Sequence, residues 1–353
     1  MPIRRLEGMP LHTRALSIAV SRESDAIWRV RGDIIDLRKN GFVPSSYDIQ
    51  PSGIIHSMNI ELRFDPESLR IEHIAVDQPF IAIDPSEATN GECCRDPAPR
   101  LLDFKGDSLD SGFTKRLSAH FGGALGCSHL LTLFQLMAST IPRAVELEKA
   151  RCKREGNSSR IGESFFRRSV FIDGHLRDDN RVDVAVQLTD TQTRPLPQRE
   201  PFTKRLEGSH EWKILATIER KRFQIQTLSV AERLRTFETL GTAEWIPHDK
   251  LVAELVNTPV IPGLAGRVFK IFSGDATVEP LRDAFLQLAP GFIQIVAALM
   301  DDYFKERALA EAGVQKTKPE VSSLGGNTDS CYMWRKGSAI NESWKRDGII
   351  SDS

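Results

Sequence analysis

The chain has 353 residues, 40% of them apolar, with 47 Lys+Arg against 48 Asp+Glu. Two core-forming domains of ordinary size fit that length better than one. The balanced charge excludes a global field that would draw the protein onto nucleic acid or an acidic membrane. No stretch reaches the about 18 consecutive apolar residues of a membrane span, and Met1-Pro2-Ile3-Arg4-Arg5 runs into polar sequence without an apolar signal core. Five irregularly spaced cysteines point to free thiols or metal ligands in a reducing compartment, so a soluble cytoplasmic protein is expected.

In chain order, residues 12–20 and 26–38 alternate apolar and polar side chains around Ser24-Asp25, the pattern of a β-hairpin. Ile55–Asp65 and Leu69–Val76 form a second hairpin turning at Pro66-Glu67-Ser68. Phe113–Phe121 reads as a short helix stopped by Gly122-Gly123. A longer helix starts at Cys127 or Ser128 and carries Leu130, Leu133, Phe134, Met137 and Ile141 until Pro142 disturbs it. Glu146–Arg160 reads as a linker or helix extension, with Lys149, Arg151, Lys153 and Arg154 on a solvated end.

The second half repeats the first. At a shift of 154, Arg14 falls on Arg168, Leu16 on Val170, Asp36 on Asp190, His56 on His210 and Met58 on Trp212. At a shift of 151, Gly112 falls on Gly263, Gly123 on Gly274, Phe134 on Phe285 and Ala138 on Ala289. Chance matching of amphipathic segments would not keep glycines, charges and a histidine in register. The expected architecture is α+β: a tandem repeat of a four-stranded antiparallel sheet covered by helices, with copies at 8–150 and 161–306. Residues 307–353 form a polar tail whose Cys331, Tyr332, Trp334 and Trp344 are uncharacteristic of plain disorder and are expected to dock on the first copy.

The residues with most chemical promise lie in Gly122-Gly123-Ala124-Leu125-Gly126-Cys127-Ser128-His129-Leu130. A glycine-rich turn there delivers a thiol and an imidazole to a helix start, where free N–H groups stabilise a thiolate. The plainer reading makes Cys127 a small buried hydrophobe. The second copy has Thr277, Val278 and Pro280 where the first has Gly126, Cys127 and His129, as relaxed constraint on one copy would produce. Cys94 and Cys331 could converge on Cys127 and His129 as a Cys3His set for zinc or an iron–sulfur cluster. His56 is a further candidate ligand, although its recurrence as His210 favours a structural role. Two rivals stand beside metal binding: a cysteine-dependent enzyme with Cys127 as nucleophile, and a non-catalytic interaction module for a protein or small molecule. No phosphate-binding glycine loop, His-Glu-x-x-His or serine elbow is present.

His56-Ser57-Met58, Leu69-x-Ile71, Gly112–Arg116, the Gly122–Leu130 run and the terminal Cys331 motif resemble an uncharacterised bacterial family, domain of unknown function twenty-eight eighty-nine. The resemblance covers about 10–150 and 329–345, as though the second copy were inserted before the closing cysteine motif. The family has His-Asp-Met where this chain has His56-Ser57-Met58, and a longer loop with Cys94 stands in place of its cysteine after the hairpin. It implies a domain without an established activity. The order of hairpin, cysteine loop and helix start is also similar to that of the NifU and IscU iron–sulfur scaffolds, which would make Cys94, Cys127 and His56 ligands.

Overall fold

The computed structural model describes residues 6–41, 43–45, 48–50, 52–158, 161–195, 201–314 and 327–346. The first copy contributes strands β1 (Met9–Arg22), β2 (Trp28–Arg38), β5 (Gly53–Phe64) and β6 (Ile71–Phe80), with a small hairpin β3 (Val43–Ser45) and β4 (Asp48–Gln50) between them. Helices α1 (Phe113–Phe121) and α2 (Ser128–Glu155) follow. The second copy repeats the plan with β7 (Ser164–Asp178), β8 (Arg181–Thr193), β9 (Leu206–Glu219), β10 (Ile225–Arg235), the short β11 (Ile246–Pro247), α3 (Leu264–Ile271) and α4 (Glu279–Val296). Helices α5 (Met300–Glu311) and α6 (Ala339–Arg346) close the chain.

Two separate four-stranded sheets do not form. One antiparallel sheet of nine strands runs β11-β10-β9-β8-β7-β1-β2-β5-β6. The reason is visible at the centre, where β1 and β7 pair along their length with Leu16 opposite Val170. These are the residues that the repeat shift equates, so the copies are related by a local two-fold axis through that pair. Each copy thereby covers the other's open edge, the least protected part of an antiparallel sheet.

The strands bury one face. On β2 every second residue from Trp28 to Arg38 is buried and those between are more exposed, the period-two alternation of a half-covered strand. α2 lies across β2, β5 and β1, and α4 across β7, β8 and β1. Gly32 permits the close approach of α2, since a Cβ there would stand 2.6 Å from Met137 Sδ. Leu130, Leu133, Phe134 and Met137 on α2 are fully buried in one core with Val30, Ile60 and Leu62 of the strands, each stabilising the fold by about 1.5–3 kcal/mol. The opposite face leaves Ile35, Leu37 and Phe171 exposed.

Prolines end neither long helix. α2 passes Pro142 and reaches Glu155, where Gly156 caps it in the left-handed conformation (φ 68°); α4 continues through Pro290. The expected linker is thus mostly helix as far as residue 155, while 159–160 lie outside the described residues. Arg151 is not on a solvated face but buried, bound to Glu148 at 2.7 and 2.9 Å and to Asn157. Among the described residues, no single helix is long and apolar enough to cross a membrane. Of the tail, 315–326 and 347–353 lie outside the described residues, as do Met1–Arg5. The described part of the tail, 327–346, forms a turn at Tyr332–Trp334 and then α6.

Candidate metal centre

The inward face of the first copy is apolar along most of its length and polar at one end. His12 and Arg14 on β1, Asp36 and Arg38 on β2 and His56 on β5 are all buried there. Strand register sets Arg14 beside Asp36 and Asp36 beside His56, so three polar residues form one row across three strands. The N-terminus of α2 lies over this end, bringing His129 down onto the row.

Asp36 is the hub and is fully buried. Arg14 donates to both its oxygens, Nε to Oδ1 at 2.9 Å and the terminal nitrogen to Oδ2 at 3.0 Å. His12 Nε2 donates to Oδ1 at 2.9 Å. Arg38 Nε faces His12 Nδ1 at 3.5 Å, which assigns the His12 proton to Nε2. Burial alone would raise the Asp36 pKa, but the Arg14 guanidinium and the His12 hydrogen bond hold it well below the usual carboxylate range.

One side of Oδ2 remains, and two imidazoles turn towards it. His129 Nε2 stands 3.2 Å and His56 Nδ1 3.5 Å from this oxygen, with the rings 3.9 Å apart between centroids. Neither nitrogen is directed as a hydrogen bond requires, and both are buried without a hydrogen-bond partner. The three donor atoms lie within 4.8 Å of one another. Two ligands at about 2.1 Å from one tetrahedral ion stand about 3.4 Å apart, so the two spacings to Oδ2 are those of atoms that could share a cation. Burial, then the neighbouring His56, lowers the His129 pKa to about 3, leaving its ring neutral and its lone pair available at neutral pH.

The second copy keeps the frame and fills the gap. Arg168 Nε and its terminal nitrogen donate to Asp190 Oδ1 and Oδ2 at 2.7 and 2.8 Å, as Arg14 does to Asp36. His210 again lies beside the aspartate. Between them sits the guanidinium of Arg143, reaching across from α2 of the first copy, with Nε donating to Asp190 Oδ2 at 3.0 Å and a terminal nitrogen 3.3 Å from His210 Nδ1. A cation therefore occupies the space bounded by the atoms equivalent to Asp36 Oδ2 and His56 Nδ1.

The glycine turn sets Cys127. Gly123 adopts φ +56°, and a Cβ on Gly126 would stand 2.0 Å from the Phe121 carbonyl oxygen. Cys127 is the N-cap of α2 in an extended conformation, so its Sγ faces His129 Nδ1 at 3.9 Å and Met58 Sδ at 4.0 Å. The expected thiolate is not favoured here. Burial outweighs the backbone N–H groups of Leu130 and His129 and pushes the Cys127 thiol up to about 12, the reverse of what a nucleophile needs.

Of the residues singled out in the sequence, His56 and His129 meet at Asp36, while Cys94, Cys127 and Cys331 gather nearby without reaching ligand spacing. Asp36 was not singled out as a site residue. The signal for it was a carboxylate on the inward, otherwise apolar phase of β2, flanked by an arginine and a histidine that recur together in the second copy.

Fold and site define a duplicated α+β protein whose two halves share one sheet and one buried arginine–aspartate row. The chain belongs to the family described as protein of unknown function DUF2889, whose model matches residues 12–143 and 166–294. Both copies are therefore matched, and 329–345 lies outside the matched segments, whereas the resemblance had paired the first copy with that terminal motif. No curated protein and no solved structure matches the chain.

Proposed function

We propose that the first copy binds one divalent transition-metal ion through Asp36 Oδ2, His56 Nδ1 and His129 Nε2, and that the second copy is its structural partner. The observation that carries this reading is the Arg143 guanidinium lying between Asp190 and His210, where the first copy instead brings together three donors, from Asp36, His56 and His129. Nitrogen and oxygen donors suit zinc or a similar ion, whereas an iron–sulfur cluster is held by thiolates. Arg14 and His12 would serve as the outer groups that fix the carboxylate. His129 Nδ1 would turn its N–H towards Cys127.

Metal analysis of untagged protein purified without chelators tests the proposal. One ion per chain is expected in the wild type and in Cys127→Ser, with loss in His56→Gln and His129→Gln while circular dichroism stays unchanged. A wild type with far less than one ion per chain, or a content indifferent to both histidine exchanges, overturns it.

A further inference from the structure

Three cysteines far apart in sequence lie on segments that meet at the start of α2, where Cys127 faces the imidazole of His129 at 3.9 Å. Cys127 heads α2, Cys94 lies in the loop after β6, and Cys331 arrives with the tail. The tail is fastened at this point: Tyr332 N–H donates to the Gly126 carbonyl at 2.8 Å, and Arg335 pairs with Glu92, two residues from Cys94. Trp334 packs edge-on against the buried Trp344, with centroids 4.5 Å apart, which gives the segment an anchor of its own. Gln78 holds the loop in place, its Nε2 donating to the Cys94 carbonyl at 3.2 Å and facing Met58 Sδ at 3.6 Å. Met58 in turn touches Cys127.

The result is a sulfur-rich cluster drawn from four segments. Cys94 and Cys127 are linked through Gln78 and Met58, and Cys331 through the Tyr332 bond to the residue before Cys127. Cys93, the neighbour of Cys94, turns away to Asp96 at 3.2 Å. The second copy has no cysteine in its span, and Trp212 replaces Met58 there. Thioether and thiols are thus absent together from the half that also lost His129.

We propose that Cys94, Cys127 and Cys331, backed by the Met58 thioether, form a second site in the first copy, for a soft cation such as Cu(I), completed by docking of the 327–346 segment. Thiolate and thioether donors select such ions over those that prefer oxygen or imidazole. The sulfurs are not yet at the spacing reached by Asp36, His56 and His129, so binding closes them by side-chain rotation and releases thiol protons to solvent. The site uses none of the three donor atoms of the centre proposed above, and each stands or falls alone.

The test is anaerobic titration of the full chain with Cu(I) against the chromophoric chelator bathocuproine disulfonate. The wild type is expected to withdraw one Cu(I) per chain. Cys331→Ser, which alters only the docked tail, is expected to weaken binding at least tenfold while leaving divalent metal content and circular dichroism unchanged. His56→Gln is expected to leave Cu(I) binding intact. Wild-type Cu(I) affinity in the Cys94→Ser, Cys127→Ser and Cys331→Ser variants alike overturns the proposal, and so does loss of Cu(I) binding in His56→Gln, which would assign the ion to the other centre.

Discussion

The two halves share strand order, register and a buried arginine–aspartate pair, yet they settle the remaining lone pair of that aspartate in different ways. In the second half Arg143 fills the place, and its charge is matched by Asp283, which accepts from Arg168 at 2.6 Å. The first half has Thr132 at the position equivalent to Asp283, and the imidazoles of His56 and His129 in place of a second guanidinium. A covalently attached cation demands a fixed counter-charge. An exchangeable one can draw its balance from bound hydroxide or from ionised neighbours. The Arg–Asp–His row is common to both halves, which differ in what the helix start or the neighbouring helix lowers onto it.

The sharpest way to break the comparison is to remove the hub. Asp36→Asn leaves Arg14 buried without its partner, and breaking such a pair costs about 3–5 kcal/mol. Urea unfolding should register that loss together with loss of bound metal. Asp190→Asn should cost somewhat less, because Asp283 still pairs Arg168, and should leave metal content unchanged. Equal metal content in both variants would remove the asymmetry between the halves.

Arg143→Met tests the tethered cation directly. Asp190 keeps Arg168, so the loss is that of hydrogen bonds to a charged group, about 1.5–3 kcal/mol, again with metal content unaltered. Gly126→Thr installs in the first half the residue that the second carries at Thr277. The added Cβ meets the Phe121 carbonyl oxygen, a backbone atom that cannot rotate away, and overpacking of this kind costs about 1–3 kcal/mol. Thermal unfolding should show the loss; a neutral outcome would mean that the glycine turn is not what positions Cys127 and His129.

Much of the architecture was legible because period-two burial, paired turns and the repeat all point the same way. The merger into one sheet was not. Leu16 and Val170 look like ordinary inward strand residues, and nothing in a local pattern says that β1 pairs with β7 rather than lying at an edge. Pro142 reads as a disturbance, yet the packed face of α2 carries the helix past it, as α4 runs through Pro290. At the site, the glycine turn and His129 stood out as a motif, whereas Asp36 was used only to align the repeats. Its importance lies in register across strands, which brings Arg14 and His56 to its sides, and a linear motif does not record register. The thiolate expected for Cys127 failed because the helix start that favours ionisation is itself covered, and desolvation is the larger effect.

The gentlest test concerns the seam between the halves. Asp173 on β7 accepts from Thr13 on β1 and from Lys39, both at 2.7 Å. Burial would push its carboxyl up, but the Lys39 and Thr13 hydrogen bonds outweigh that and hold it below the ordinary value. A depressed carboxylate contributes stability that is fully present above its unfolded pKa and disappears as the pH falls through the folded one. The difference between wild type and Asp173→Asn should therefore be constant near neutrality and shrink below about pH 3.9. With the side chain partly exposed to solvent, screening limits the effect to under about 1 kcal/mol. Urea midpoints measured from neutral to acid pH should trace that closing gap, and added salt should reduce it. A gap that instead widened on acidification would mean that Asp173 is protonated more readily in the folded chain than in the unfolded one, and that the seam is held by the β1 and β7 backbone alone.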